Sequence, residues 1–282
     1  MQLSRRHVLA SLGALALPFP AFALPTLDRP DPFRARPSGA HGGATVAALT
    51  CDLPDAERYA AVGDAMVDGN VPDFLRRLVP VPMPGSDGRA IIWVTPDYLA
   101  VGTDDDHVRV PVDYPTAARV AWASGCVLPT SAMVDAIWAA APIRLVPDPM
   151  TPCDQMRSMA YVLEHEARVQ QALGGPPDTL VAGHKKDVVL STRLWERRYR
   201  VAIYGWHQPD GAPIQPVSVW HGVGYADYSH GVRLVSRVAE LDGRSVDLLD
   251  ALANPEQAPF FSAEGPLSDV DALMHPLPGP AI

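Results

Sequence analysis

Residues 182–235 read AGHKKDVVLSTRLWERRYRVAIYGWHQPDGAPIQPVSVWHGVGYADYSHGVRLV. Apolar runs of strand length alternate here with turn residues. They carry four of the chain's nine histidines: His184, His207, His221 and His230. Strands are predicted at 187–190, 200–204, 217–220 and 231–235, with Pro209-Asp210-Gly211 turning between two of them. Each histidine lies near one of these runs with polar neighbours, so any chemistry is expected here.

Upstream the pattern changes. Residues 55–68 have helical spacing, and 90–94 (AIIWV) read as a buried strand. Residues 98–101 and 107–110 form a predicted hairpin across Gly102-Thr103-Asp104-Asp105-Asp106. The acidic triplet is read as a solvated turn, because the ligand spacing of a calcium loop is missing. Thr116 is the expected cap of a helix to 124, stopped by Gly125. Pro129-Thr130-Ser131 opens another at 132–141, and a third runs from Asp154 to Gly174-Gly175. A short helix is predicted at 246–252, then a proline-rich tail. Helices and strands segregate, which predicts an α+β fold: a helical and hairpin N-terminal half and a mostly antiparallel sheet in the C-terminal half. Residues 24–48 read as a disordered or extended lead-in, and 49–282 as one domain with a subdivision point near 175.

Residues 1–23 read as an export signal. Ser4-Arg5-Arg6 precedes a short apolar run, and Ala21-Phe22-Ala23 fits a cleavage site. The paired arginines resemble a twin-arginine signal, which implies the twin-arginine export machinery as a partner and a periplasmic or secreted destination. No apolar run reaches the roughly 20 residues of a membrane span, so no stable membrane insertion is expected. Removing Arg5 and Arg6 takes the formal net charge from −9 to −11, which argues against nucleic acid as the main partner. In an oxidising compartment Cys51, Cys126 and Cys153 predict one disulfide and one free thiol.

Three chemistries compete for the site. The first is a metal centre on His184, Asp187 and His207, with His221 and His230 nearby. Neutral imidazoles and a carboxylate suit zinc, which needs three protein ligands and a water for catalysis. The order His184, Asp187, His207 resembles that of exported peptidoglycan peptidases. His165-Glu166 begins a zinc-protease helix motif that fails at Val169.

The second is built on Asp227-Tyr228-Ser229-His230-Gly231-Val232-Arg233-Leu234. Ser229-His230-Gly231 resembles the S-H-G-C-x-R signature of L,D-transpeptidases, and His221-Gly222 matches the His-Gly upstream of it. Val232 stands where that family has its nucleophilic Cys, and Leu234 where it has the Arg. The resemblance implies a cell-wall cross-linking chemistry without its usual nucleophile. Ser229 or a water would attack, His230 or His221 would take the proton, Asp227 would orient a histidine, and Arg233 would hold a carboxylate or oxyanion. On a strand, Asp227 and Ser229 would share one face and His230 the other.

The third uses Cys126 as the nucleophile of a papain-like amidase, followed by a later histidine. Lys185, Lys186, Gln215 and Tyr228 are the candidate substrate-binding residues. Together these features predict an exported hydrolase or transferase acting on a cell-envelope polymer. The non-enzymatic alternative is a periplasmic binding or scaffolding protein that uses the histidine-rich stretch as a capture surface. The sharpest expectation is geometric: the four late histidines meet in one pocket, with Asp187 or Asp227 beside them.

Overall fold

A computed structural model describes residues 31–276. The expected export signal lies outside the described residues, as does the part of the expected lead-in before residue 31. The rest of that lead-in is ordered. Phe33 is buried, Arg36 donates to the Gly102, Ala40 and His41 carbonyls, and residues Gly43–Thr50 form helix α1. The acidic triplet explains α1. Asp106 accepts at its side chain from the Ala44 amide (2.9 Å) and at its carbonyl from the Gly43 amide (2.8 Å). The helix is capped from another part of the chain, so local sequence carries no start signal for it.

The fold is α+β. Helix α2 (Asp55–Val67) leads to strands β1 (Val79–Pro82) and β2 (Ala90–Val94), then to the hairpin β3 (Val101–Gly102) and β4 (His107–Val108). Helix α3 spans Tyr114–Ala123, β5 Cys126–Val127, α4 Ser131–Ala140, β6 Ile143–Arg144 and α5 Met159–Leu173. Next come β7 (Val181–Ala182), β8 (Lys186–Val188), β9 (Ile203–His207), β10 (Pro213–Ser218) and β11 (His230–Gly231). The chain continues through β12 (Val235–Ser236), β13 (Val238–Leu241), β14 (Arg244–Asp247), α6 (Leu248–Ala253) and α7 (Val270–Met274).

Strand β2 is the apolar run AIIWV, and every residue in it is buried. It sits in a six-stranded sheet with β1 along one edge and β13 then β12 along the other. One sheet therefore draws on both halves of the chain. The second sheet has the order β10-β9-β8-β11. Its first pairings are antiparallel and β8–β11 is parallel. Residues 230–236 pass from this sheet into the first. Along the way the Leu99 amide donates to the Val232 carbonyl (2.7 Å) and the Thr95 amide to the Leu234 carbonyl (3.0 Å).

Two predicted helix starts move for identifiable reasons. Asp113 caps α3, accepting from the Thr116 amide, with a proline in the first turn. Residues 154–157 form a turn, and Ser158 caps α5. Gly174 ends α5 in the left-handed region (φ 74°), as its position implies. All three cysteines are free thiols, Cys126 buried and Cys51 and Cys153 exposed, which corrects the expected disulfide. Among the described residues, no helix is long and apolar enough to cross a membrane.

Replacing Asp106 by Ala removes the remote cap of α1. The expected cost is about 1 kcal/mol in chemical denaturation, with faster amide exchange confined to residues 43–50. Unchanged exchange there contradicts the capping role.

Candidate functional site

The two histidine segments of the sequence lie side by side. In the parallel pair β8–β11, His230 is opposite Lys186 and Gly231 opposite Asp187, and the Lys186 amide donates to the Ser229 carbonyl (2.7 Å). Tyr98 holds them there. Its hydroxyl donates to Asp187 Oδ2 (2.7 Å) and contacts the Lys185 carbonyl (3.3 Å). The Arg233 guanidinium sits 4.4 Å from the centre of its ring, and His184 meets the ring edge-on at 4.8 Å. Gly231 makes this possible: a Cβ there would stand 2.5 Å from the Tyr98 ring and 2.8 Å from Lys185 Cβ.

The residues between the segments form a turn, since the His230 amide donates to the Asp227 carbonyl (3.0 Å). This corrects the expected strand alternation. One carboxylate now serves both neighbours. Asp227 Oδ1 accepts from the Ser229 amide (2.8 Å) and hydroxyl (2.6 Å), and Oδ2 lies 3.9 Å from His230 Nε2 and accepts from the Tyr225 hydroxyl (3.0 Å). His221 stacks on Tyr225 with ring centres 4.0 Å apart and planes at 7°, and its ring centre is 6.1 Å from that of His230. His221, Tyr225 and Lys186 are half-buried, whereas Asp227, Ser229 and His230 are buried. The Lys186 ammonium lies 5.0 Å from the centre of the buried Trp206 ring. Trp206 holds a left-handed φ of 58° within β9, a strained conformation for a non-glycine residue.

Burial sets the electrostatics. It drives the His230 imidazole down to about 4, against the opposing charge of Asp227. Burial also pushes Asp227 up, but the two Ser229 hydrogen bonds and the Lys186 charge help keep the carboxyl below its ordinary value. A neutral imidazole therefore faces an anion. Neither His230 ring nitrogen has a hydrogen-bond partner. A neutral imidazole with uncommitted ring nitrogens can act as a proton acceptor. The Ser229 hydroxyl donates to a carboxylate, so no histidine activates it as a nucleophile.

The remaining candidates are placed elsewhere. His207 bonds Asp135 (2.8 Å) and stacks on Trp138. His184 Nε2 lies 3.0 Å from Asp97 Oδ1, at ion-pair distance but without hydrogen-bond alignment. The four histidines thus divide: His221 and His230 meet, while His184 and His207 have their own carboxylates. His184, Asp187 and His207 do not converge as zinc ligands. Among the described residues, no three His, Cys, Asp or Glu side chains are grouped to hold a metal ion. Arg233 is fully buried and donates to the Thr95 (2.8 Å) and Val181 (2.7 Å) carbonyls, which makes it a strut between chain segments rather than an oxyanion holder. Tyr228 is a core residue bonded to Met150. Lys185 is buried, donating to the Tyr228 carbonyl (2.5 Å) and to His165 Nδ1 (3.1 Å). Burial lowers its ammonium to about 8 and His165 to about 2. Cys126 lies in β5, and burial raises its thiol to about 12, which removes it as the nucleophile of an amidase. Gln215 lies on the edge strand β10, its amide on the Pro216 carbonyl.

A buried ion network lies among residues outside the sequence-based candidates. Arg109 donates to Asp97 (3.0 and 2.6 Å) and to Glu166 (2.6 Å). Burial would raise the Asp97 carboxyl, but Arg109 and His184 hold it well below the usual carboxylate range. A charged residue between Val108 and Val110 was the available signal, since a charge within a buried apolar run requires partners. No protein family, curated protein or solved structure matches this chain.

Burial raises the Asp187 carboxyl from 3.8 to about 6, against the opposing effect of Arg233. Its protonated form is favoured in the folded state, so its contribution is complete below the unfolded value and is lost as pH rises through 6. Asp187→Asn is therefore expected to gain roughly 2 kcal/mol relative to wild type between pH 4 and pH 7. Denaturant unfolding at both pH values checks this, and a difference independent of pH contradicts it.

Proposed function

We propose that the protein is an exported hydrolase or transferase that cleaves or exchanges a linkage in a cell-envelope polymer, using His230, Asp227 and His221. One arrangement carries the reading: the buried, unpartnered His230 imidazole, 3.9 Å from the Asp227 carboxylate and next to the half-exposed His221. For an amide linkage, His230 takes a proton from water as the water oxygen adds to the carbonyl carbon. Asp227 stabilises the imidazolium that forms. Collapse breaks the carbon–nitrogen bond, and His230 returns the proton to the departing amine. In transfer, an acceptor amine replaces the water. His221 on Tyr225 is positioned to orient the substrate, and Lys186 adds positive charge beside the reacting carbonyl.

The envelope as destination is supported by Ser4-Arg5-Arg6 and Ala21-Phe22-Ala23, which fit passage through the twin-arginine machinery to the periplasm or beyond. The partial transpeptidase signature falls on the same His221, Ser229 and His230 that the fold gathers. It supports peptidoglycan peptide or glycan as the substrate.

The test is to incubate purified protein with purified peptidoglycan and read the soluble products by mass spectrometry. New fragments are expected, with His230→Gln and Asp227→Asn each lowering their rate of appearance by about 100- to 10,000-fold. A product profile identical to the enzyme-free control overturns the proposal.

A further inference from the structure

The chain's negative net charge is not evenly spread. Arg193, Arg197, Arg198 and Arg200 fall within eight residues, and all four are exposed. Between this segment and β10 lies a groove of about 500 Å³, lined by Arg193, Glu196, Arg197 and residues 215–220. At its end stands Trp220, whose side chain is 77% exposed, more than any other large apolar residue described. An indole held in water gains nothing from folding, and its flat face is suited to stacking on a ligand.

The groove is fixed in shape. Arg193 Nη1 donates to the Val217 carbonyl (2.6 Å), and Arg200 Nη1 to the Trp220 carbonyl (2.6 Å), holding the backbone beneath the indole. The edge strand is closed to another strand. Pro213 and Pro216 lack amides, and the Pro216 and Val217 carbonyls are taken by Gln215 and Arg193. Recognition there falls to side chains. Among the described residues Arg197 forms no ion pair, while Arg193 lies 3.9 Å from Glu264, at the limit of an ion pair. Glu196 is the groove's single carboxylate, so the lining is net positive on a net-negative protein.

The groove also adjoins the site. Residues 199–201 pair with 221–223: the Val201 amide donates to the His221 carbonyl (3.2 Å) and the Val223 amide to the Tyr199 carbonyl (2.8 Å). One short ladder therefore sets Trp220 in the groove and His221 beside His230. We infer that this groove is a binding site for an acidic glycopeptide strand, with a sugar ring stacked on Trp220 and the carboxylates of its peptide on Arg197 and Arg193. The strand would lead its linkage to His221 and His230. This rests on the envelope-polymer substrate proposed above and adds its acidic, sugar-bearing character. A carboxylate-bearing strand fits two arginines interrupted by a glutamate. A dense polyanion would meet the repulsion of the acidic protein around them.

The experiment is calorimetric titration of the full chain with a soluble disaccharide-tetrapeptide fragment of peptidoglycan. The same fragment with amidated carboxylates and a neutral N-acetylglucosamine oligomer serve as comparisons. Wild type is expected to bind the free-acid fragment at least tenfold tighter than either comparison. Trp220→Ala and Arg197→Ala should each weaken free-acid binding about tenfold with unchanged melting temperature, and Arg197→Ala should lose most of the preference for free carboxylates. Wild-type affinity in both variants, equal affinity for the amidated fragment, or no binding by wild type overturns the inference. The two readings separate cleanly. Weakened variants with uncut fragment leave the groove standing and remove the hydrolase; undiminished variants with cut fragment do the reverse.

Discussion

The packing of Tyr98 against Gly231 is the contact on which the rest depends. The ring lies where any side chain at residue 231 would collide, and its hydroxyl reaches across to Asp187. Arg233 covers the ring, and His184 meets its edge. Three segments distant in sequence are thereby locked in one register: 97–98, 184–187 and 231–233. That register sets Lys186 against His230 and brings the turn at 227–229 beneath His221. The support is polar and dry, which is costly unless each group is matched. Arg109 between Asp97 and Glu166 supplies the largest match.

The histidine-rich character of the stretch changes meaning in this setting. Burial pushes His165, His184 and His230 below the ordinary imidazole value. These rings are neutral because burial penalises their charged form, and only His230 of the three lies beside the Asp227 carboxylate. His207 is claimed by Asp135 of α4. The same desolvation that keeps His230 neutral raises the Asp187 carboxyl and lowers the Lys185 ammonium.

Much of the architecture was legible in the residues. AIIWV could only be a strand covered on both faces, and Gly174 had to end a helix. The Asp-rich link between residues 101 and 107 did form a hairpin turn. The expected pocket of four histidines was legible only in part: His221 and His230 meet, while His207 lies on Asp135 and His184 beside Asp97. What was hidden depended on distant partners. Helix α1 is capped by Asp106, some 60 positions away. Arg233 looked like a substrate ligand because its two carbonyl partners, on Thr95 and Val181, have no sequence signature. The strand alternation weighed for Asp227, Ser229 and His230 does not occur because the Asp227 side chain closes a turn on the Ser229 amide, a local competition that short polar side chains often win.

His230 is a buried, neutral imidazole beside a carboxylate, placed by the Tyr98 register. The most direct measurement is the imidazole nitrogen NMR titration of His230 in the intact protein. The ring is expected to stay neutral down to about pH 4. A midpoint near the ordinary 6.5 would show a solvated ring and contradict both the register and the site built upon it.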